Sequence, residues 1–250
     1  MIPLDEHIAI LSDIIMSTDD VNKWSNVYEW LNIAASIESV SLDTLKFDHS
    51  LGWCESAYDY DIARDELLQI FTTHLAIFNF VWGALESTIE IVKPPENPNK
   101  KLRGKISNTC SLLGKFNHEN SIPELINEVQ TFKSLASRCY GYEDIEKRFH
   151  AILHYYDSGI GLYAVYTLRN LFAHGSMIFP QPNGNNRPIC IENELVICAT
   201  RIVLLSMQLL LIHHFQPSRN HEIYLVSFRN WIHGDISLEK ALRSCHILAE

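Results

Sequence analysis

Residues 61–92 read DIARDELLQIFTTHLAIFNFVWGALESTIEIV, and nothing in the run breaks a helix except the single Gly83. Leu68, Phe71, Leu75, Phe78, Trp82, Leu85, Ile89 and Val92 recur at spacings of 3-4-3-4-3-4-3. That alternation marks one face of an α-helix. At roughly 1.5 Å per residue it predicts a packing seam about 37 Å long. Pro94 and Pro95 end it, because proline has no N–H to donate and its ring clashes with the preceding turn. A seam of that length is buried only by other long helices, so an up-and-down helical bundle is the expected fold.

The flanking sequence extends the same pattern. Upstream, residues 2–16 alternate at helical spacing, and residues 21–37 carry Val21, Trp24, Tyr28, Leu31 and Ala35 at 3-4-3-4. Both predict amphipathic helices, with Asp19 and Asp20 suited to the N-terminus of the second. Residues 41–60 read as a connection. Downstream, helices are expected over 101–114, over 122–138 with Ser121 as cap and Glu124 three residues on, over 143–156, and over 160–174 closed by Gly175. Residues 176–188 hold Pro180, Pro182, Gly184 and Pro188 and read as a loop or short hairpin. A largely apolar helix from 192 or 193 to 214 is expected at the centre, then two shorter helices over 221–233 and 237–248. No strand is expected beyond a fragment at Cys190 and Ile191. The expectation is one all-α domain over 1–250, with a core at about 60–215, an N-terminal helical extension over 1–59 and C-terminal helices over 216–250.

Composition narrows the function classes. The chain of 250 residues carries a net charge of −10. Residues 1–92 hold 3 Lys/Arg against 16 Asp/Glu, and the remainder holds 17 against 14. The acidity sits in the first third, which leaves room for a local basic cleft but implies no extended nucleic-acid surface. Six cysteines are dispersed with no C-x-x-C pair, as expected of free thiols in a reducing compartment. The start, MIPLDE, has no basic region followed by an apolar run, and the apolar stretch 201–215 is short for a bilayer. A cytoplasmic protein with no membrane contact is expected. Phosphate-loop, dinucleotide, hydrolase-elbow and H-E-x-x-H patterns are absent, so neither cofactor nor metal is expected.

One segment carries chemistry. Residues 163–175, YAVYTLRNLFAHG, put Arg169, Asn170 and His174 in the last two turns of a helix. Asn170 and His174 are i,i+4 and share a face, and Val165, Leu168 and Phe172 form the opposite, core-facing stripe. Metal-free ribonuclease chemistry needs a group near neutral pKa to move protons, which histidine supplies. It also needs a fixed cationic fork for the phosphoryl oxygens, which arginine supplies. A His-Gly pair at a helix end with an arginine nearby is equally an ordinary C-terminal arrangement.

The run Arg169-Asn170-Leu171-Phe172-Ala173-His174 resembles the R-N-x-x-x-H signature of the HEPN superfamily, and Phe78-Asn79-Phe80-Val81-Trp82-Gly83-Ala84-Leu85-Glu86 resembles the first core helix of several of its families. The resemblance covers about residues 60–215. It implies a metal-independent endoribonuclease with Arg169 and His174 as catalytic pair and Asn170 as accessory. Attack by the 2'-OH would leave a 2',3'-cyclic phosphate and a 5'-OH. It also implies a homodimer with a shared cleft, a toxin or antiviral role, and a possible antitoxin or regulatory partner. The other implied class is a non-catalytic HEPN module that binds RNA or nucleotide or scaffolds a complex. Toxins paired with nucleotidyltransferase-like antitoxins often carry tyrosine two residues after the histidine, where this chain has Ser176.

Secondary candidates are Asn79 and Glu86, which support the motif or belong to a solvated face, and the basic run Lys100, Lys101, Arg103 and Lys105, which contacts RNA phosphates or is a solvated loop. His213 and His214, with His118 or His221, lack the spacing of a known metal site. Residues 229–234, RNWIHG, echo the motif with one residue fewer between Arg and His, and are read as coincidence with Trp231 and Ile232 in the core.

Overall fold

The long helix, α3 (Glu55–Val92), runs 38 residues, about 57 Å at 1.5 Å per residue. It begins earlier than the apolar pattern signals because residues 57–60 are exposed and carry no buried face to read. Phe71, Leu75, Phe78, Trp82, Leu85 and Ile89 of the seam are buried, while Leu68 and Val92 at its ends are half-buried. The computed structural model describes residues 1–18, 21–47, 55–117, 119–151, 155–182, 190–218, 220–226 and 233–247. Asp19, Asp20, Cys54, His118, Trp231 and Ile232 fall outside these, and with them the readings placed on them.

The described elements make a helical bundle with flanking helices. Two helices, α1 (Leu4–Met16) and α2 (Val21–Ser36), pack on each other, and α2 packs along α3. There Trp30 lies against Gly83, where an added Cβ would come within 2.8 Å of the indole. This close approach is the physical reason for glycine inside an otherwise unbroken helix. Then follow α4 (Lys105–Leu113), α5 (Pro123–Ala136), α6 (Glu143–Ala151), α7 (Asp157–Ala173) and α8 (Ile191–His214). The central helix is α8. It packs against α3, α5 and α7, and its 15 buried residues include Gln208. Both α3 and α8 are long and apolar enough to cross a membrane, with 83% of the apolar window of α8 buried inside the fold. The apolar stretch 201–215, short for a bilayer by itself, covers the C-terminal part of α8, which starts at Ile191, next to the expected 192 or 193.

Four sequence expectations do not hold. Within 221–233, expected as a helix, the described residues include strand: β1 (Glu222–Val226) pairs antiparallel with β2 (His233–Ser237), Tyr224 opposite Asp235. Along β1 exposed Glu222, buried Ile223 and 57% exposed Tyr224 alternate, as a half-buried strand requires. The last helix, α9 (Leu238–Ser244), is capped by Ser237, which accepts from the Lys240 N–H. Ser121 does not cap α5. Ile122 occupies the cap without a side-chain bond, and Ser121 Oγ lies 2.9 Å from Ser158 Oγ of α7. Phe172, assigned to the core stripe of α7, is exposed, whereas Val165 and Leu168 are buried. Cys190 caps α8 instead of joining a strand.

One buried polar network ties the chain ends to the bundle. His7 of α1 meets Gln208 of α8 at 2.9 Å, Gln208 Nε2 meets His246 Nδ1 at 3.1 Å, and His246 Nε2 meets Glu124 of α5 at 3.1 Å. The Ile2 N–H donates to the His246 carbonyl. Burial pushes the His7 imidazole down to about 3, opposed by the Gln208 bond and reinforced by His246, Arg201 and the N-terminal ammonium. Burial also lowers His246, against the Glu124 carboxylate. Between the ordinary value of 6.5 and about 3 the unfolded chain therefore binds more protons at His7 than the folded one. Stability rises with pH across that window and is lost on acidification. We expect the urea midpoint to fall from pH 7.5 to pH 5, with His7 alone contributing about 2 kcal/mol. Equal midpoints at the two values would contradict this account.

Candidate functional site

The N-terminal half of α7 is fixed by close backbone packing. A Cβ on Gly159 would stand 2.4 Å from the Cys110 carbonyl and 2.8 Å from the Gly114 backbone, and one on Gly161 would stand 2.2 Å from Val129 Cγ2. These two glycines let α7 approach α4 and α5. The axis so defined carries the C-terminal turns of α7 outward. There the helix ends on His174, Gly175 takes φ +67°, the Ser176 N–H donates to Leu171 O and the Gly175 N–H to Phe172 O. This is the glycine-terminated pattern that satisfies the last carbonyls.

Arg169 turns toward α3 and the start of α4. Its Nη2 lies 3.8 Å from Glu86 Oε1, and the same carboxylate oxygen accepts from Trp82 Nε1 at 2.8 Å. Trp82 and Tyr166 stack at 6.0 Å with 13° between planes. Glu86, Arg103, Lys105, Ser107, Tyr166 and Arg169 line a cleft of about 290 Å³. It adjoins a second of about 340 Å³ formed by Lys93, Glu90, Pro94 and Asn108, and Lys105 borders both. Lys105 pairs with Glu90, and Arg103 lies 3.3 Å from Glu96. The hydrogen-bonded pair holds Lys105 above its ordinary pKa and Glu90 below. These ion pairs are exposed, so they are weak and exchangeable. Within the first cleft Glu86 is the one carboxylate beside three cations, a donor set for an anion and not for a metal ion.

Asn170 and His174 do not line that cleft. They sit 100° and 140° from Arg169 around the helix, on the stripe of Tyr163 and Thr167. Arg148 of α6 reaches this stripe. Its guanidinium lies 5.2 Å from the Tyr163 ring centroid, its Nε donates to Thr167 Oγ1 at 3.2 Å and its Nη1 to the Tyr163 hydroxyl at 3.4 Å. His174 is exposed and Asn170 half-buried. One chain thus presents its arginine on one side of the helix end and its histidine on another, with Arg148 on the histidine side.

The remaining candidates separate. Asn79 donates to the Leu75 carbonyl one turn back, so its amide serves its own helix. Lys100 is exposed on a 3₁₀ turn, and the side chain of Lys101 is outside the described residues. His213 meets Phe116 edge-on in a separate cleft of about 390 Å³ with Lys115 and Arg243. That cleft is larger than the two beside Arg169 and Lys105, but no motif residue lines it. His214 contacts Lys23 at 3.2 Å and packs on Trp24, and burial with Lys23 lowers its pKa. Trp82, Tyr166 and Arg148 were not singled out from sequence. The first is part of the seam, and the other two carry no local signal beyond residue type.

No protein-family model matches the chain, and no curated protein or solved structure matches it either.

Proposed function

We propose that the chain is a metal-independent endoribonuclease of the HEPN type, acting from the cytoplasm as a toxin or antiviral effector. The observation that carries this reading is the meeting of Arg169 with Arg103 and Lys105 at one cleft, next to a helix end that leaves His174 open to solvent. Arg169, released from Glu86, holds the phosphoryl oxygens of an RNA phosphodiester as negative charge builds. Lys105, Arg103 and Lys93 bind flanking phosphates along the two adjoining clefts. His174 protonates the 5' leaving oxygen while the 2'-OH attacks phosphorus and releases its own proton to solvent water. Because Arg169 and His174 diverge around the helix, the complete site is composite. A second copy supplies the histidine that faces the arginine of the first, in a homodimer with a shared cleft.

A second reading is favoured by one feature. The acidic partners Glu86, Glu90 and Glu96 already pair the cleft cations, as in a non-catalytic module that scaffolds a complex or binds RNA or nucleotide. The two readings part in one assay. Purified protein is incubated with defined structured and single-stranded RNAs in buffer stripped of divalent ions, beside Arg169→Ala, His174→Ala and the control His233→Ala, with circular dichroism on each sample. The enzyme reading expects cleavage by wild type and the control and none by the other two. Binding without cleavage by any of the four supports the module.

A further inference from the structure

His7 of α1 and the Cys245-His246 pair after α9 are 238 positions apart, yet one ligand-capable atom of each lies within 4.8 Å of the other two. All three residues are buried. The two imidazoles are set alike. His7 Nε2 is held by Gln208 Oε1 and His246 Nε2 by Glu124 Oε2. Each outer nitrogen is tied to an acceptor, which leaves Nδ1 as the lone-pair atom. His7 Nδ1 has no hydrogen-bond partner although it is buried. His246 Nδ1 accepts only from Gln208 Nε2, a group that also donates to the Leu242 carbonyl. An imidazole whose second nitrogen is fixed by a carboxylate or amide is the usual arrangement of a metal-ligating histidine. Cys245 Sγ has a single weak contact, 3.9 Å to Leu242 O.

We propose that His7 Nδ1, His246 Nδ1 and Cys245 Sγ bind one zinc ion that clamps the first helix to the last turn of the chain. Two nitrogens and a sulfur suit zinc and exclude magnesium and calcium, which need oxygen donors. Zinc–ligand distances of about 2.0–2.3 Å bring the three ligand atoms to roughly 3.5 Å of one another. The terminal turn that carries Cys245 and His246 absorbs the movement. Gln208 gives up its bond to His246 and keeps those to His7 and Leu242. Binding forms two Zn–N bonds and one Zn–S bond, breaks the Cys245 S–H bond and releases that proton to solvent; a water completes the tetrahedron. Burial keeps His7 neutral at ordinary pH, so its lone pair is available. The same burial disfavours a free Cys245 thiolate, so the metal is what makes that thiolate stable.

The test uses untagged full-length protein. After gel filtration, elemental analysis is expected to give one zinc per chain. Cobalt substitution is expected to give a thiolate-to-cobalt charge-transfer band. A strong chelator is expected to lower Tm by more than about 5 °C. Cys245→Ser, folded by circular dichroism, is expected to lose the band and bind metal at least about 100-fold more weakly. If that variant fails to fold, the wild-type cobalt band decides alone. Wild-type protein without zinc, without the cobalt band and with a Tm indifferent to chelator overturns the proposal. So does undiminished metal binding by folded Cys245→Ser.

Discussion

Mixing Arg169→Ala protein with His174→Ala protein is expected to restore about one quarter of wild-type RNA cleavage, although each variant alone is nearly inactive. Removing the proton donor costs about 10²–10⁴-fold, and removing a group that stabilises developing charge costs about 10²–10³-fold. The recovery follows from the helix end. Arg169 lines the cleft with Glu86 and Lys105, while His174 lies off it. If each site takes Arg169 from one copy and His174 from the other, a mixed dimer has one site with both defects and one intact. Random exchange makes about half of the dimers mixed, each with half its sites. Subunits are exchanged by dilution and reconcentration, and initial rates are read on one RNA. A mixture no more active than its components would remove the shared cleft from the account.

The second large effect concerns the scaffold. Gly159→Val is expected to destabilise the fold by at least about 3 kcal/mol, because the new side chain meets backbone and not a movable side-chain tip. The Cys110 carbonyl and Gly114 backbone occupy that space, and shifting them moves α4 against α7. The expected drop in Tm is about 6–12 °C. Gly175→Ala serves as the comparison. Nothing lies within 4 Å of its added Cβ, and only φ +67° opposes it. The cost there is about 1 kcal/mol. Equal losses for the two variants would mean that the close crossing of α4 and α7 does not fix the motif helix.

The bundle was legible where burial is one-sided and local. The seam of α3 repeats over about seven turns, and its buried set follows the spacing read from sequence. Its first turns were not legible because residues 57–60 are exposed and show no apolar face. The hairpin was missed for a different reason. A run as short as Glu222–Val226, ending on the apolar pair Leu225-Val226, does not distinguish strand from helix, and only the pairing with residues 233–237 settles the strand. Ser121 shows the limit of cap patterns: its hydroxyl finds Ser158, 37 positions away, instead of the local N–H.

The candidate site divides similarly. Arg169, Asn170 and His174 were read from one short segment, and their distribution around the helix follows from 100° per residue. That Glu86 stands beside Arg169, and that Lys105 and Arg103 border the same cleft, depends on how α3, α4 and α7 cross. Sequence offered those residues only as candidates. Arg148 reaches the Tyr163–Thr167 stripe from α6 with no spacing rule to announce it. The His7, Cys245 and His246 cluster joins the two ends of the chain, so no motif of fixed spacing can describe it.

The most direct test is the chemistry of the cut ends. A 5'-labelled RNA is incubated with wild-type protein in buffer stripped of divalent ions, and the products are resolved before and after acid opening and phosphatase treatment. The account predicts fragments ending in 2',3'-cyclic phosphate with 5'-OH on the downstream piece, formed without added metal and lost in His174→Ala. Fragments with 3'-OH and 5'-phosphate ends, or cleavage that requires added magnesium or manganese, would contradict it.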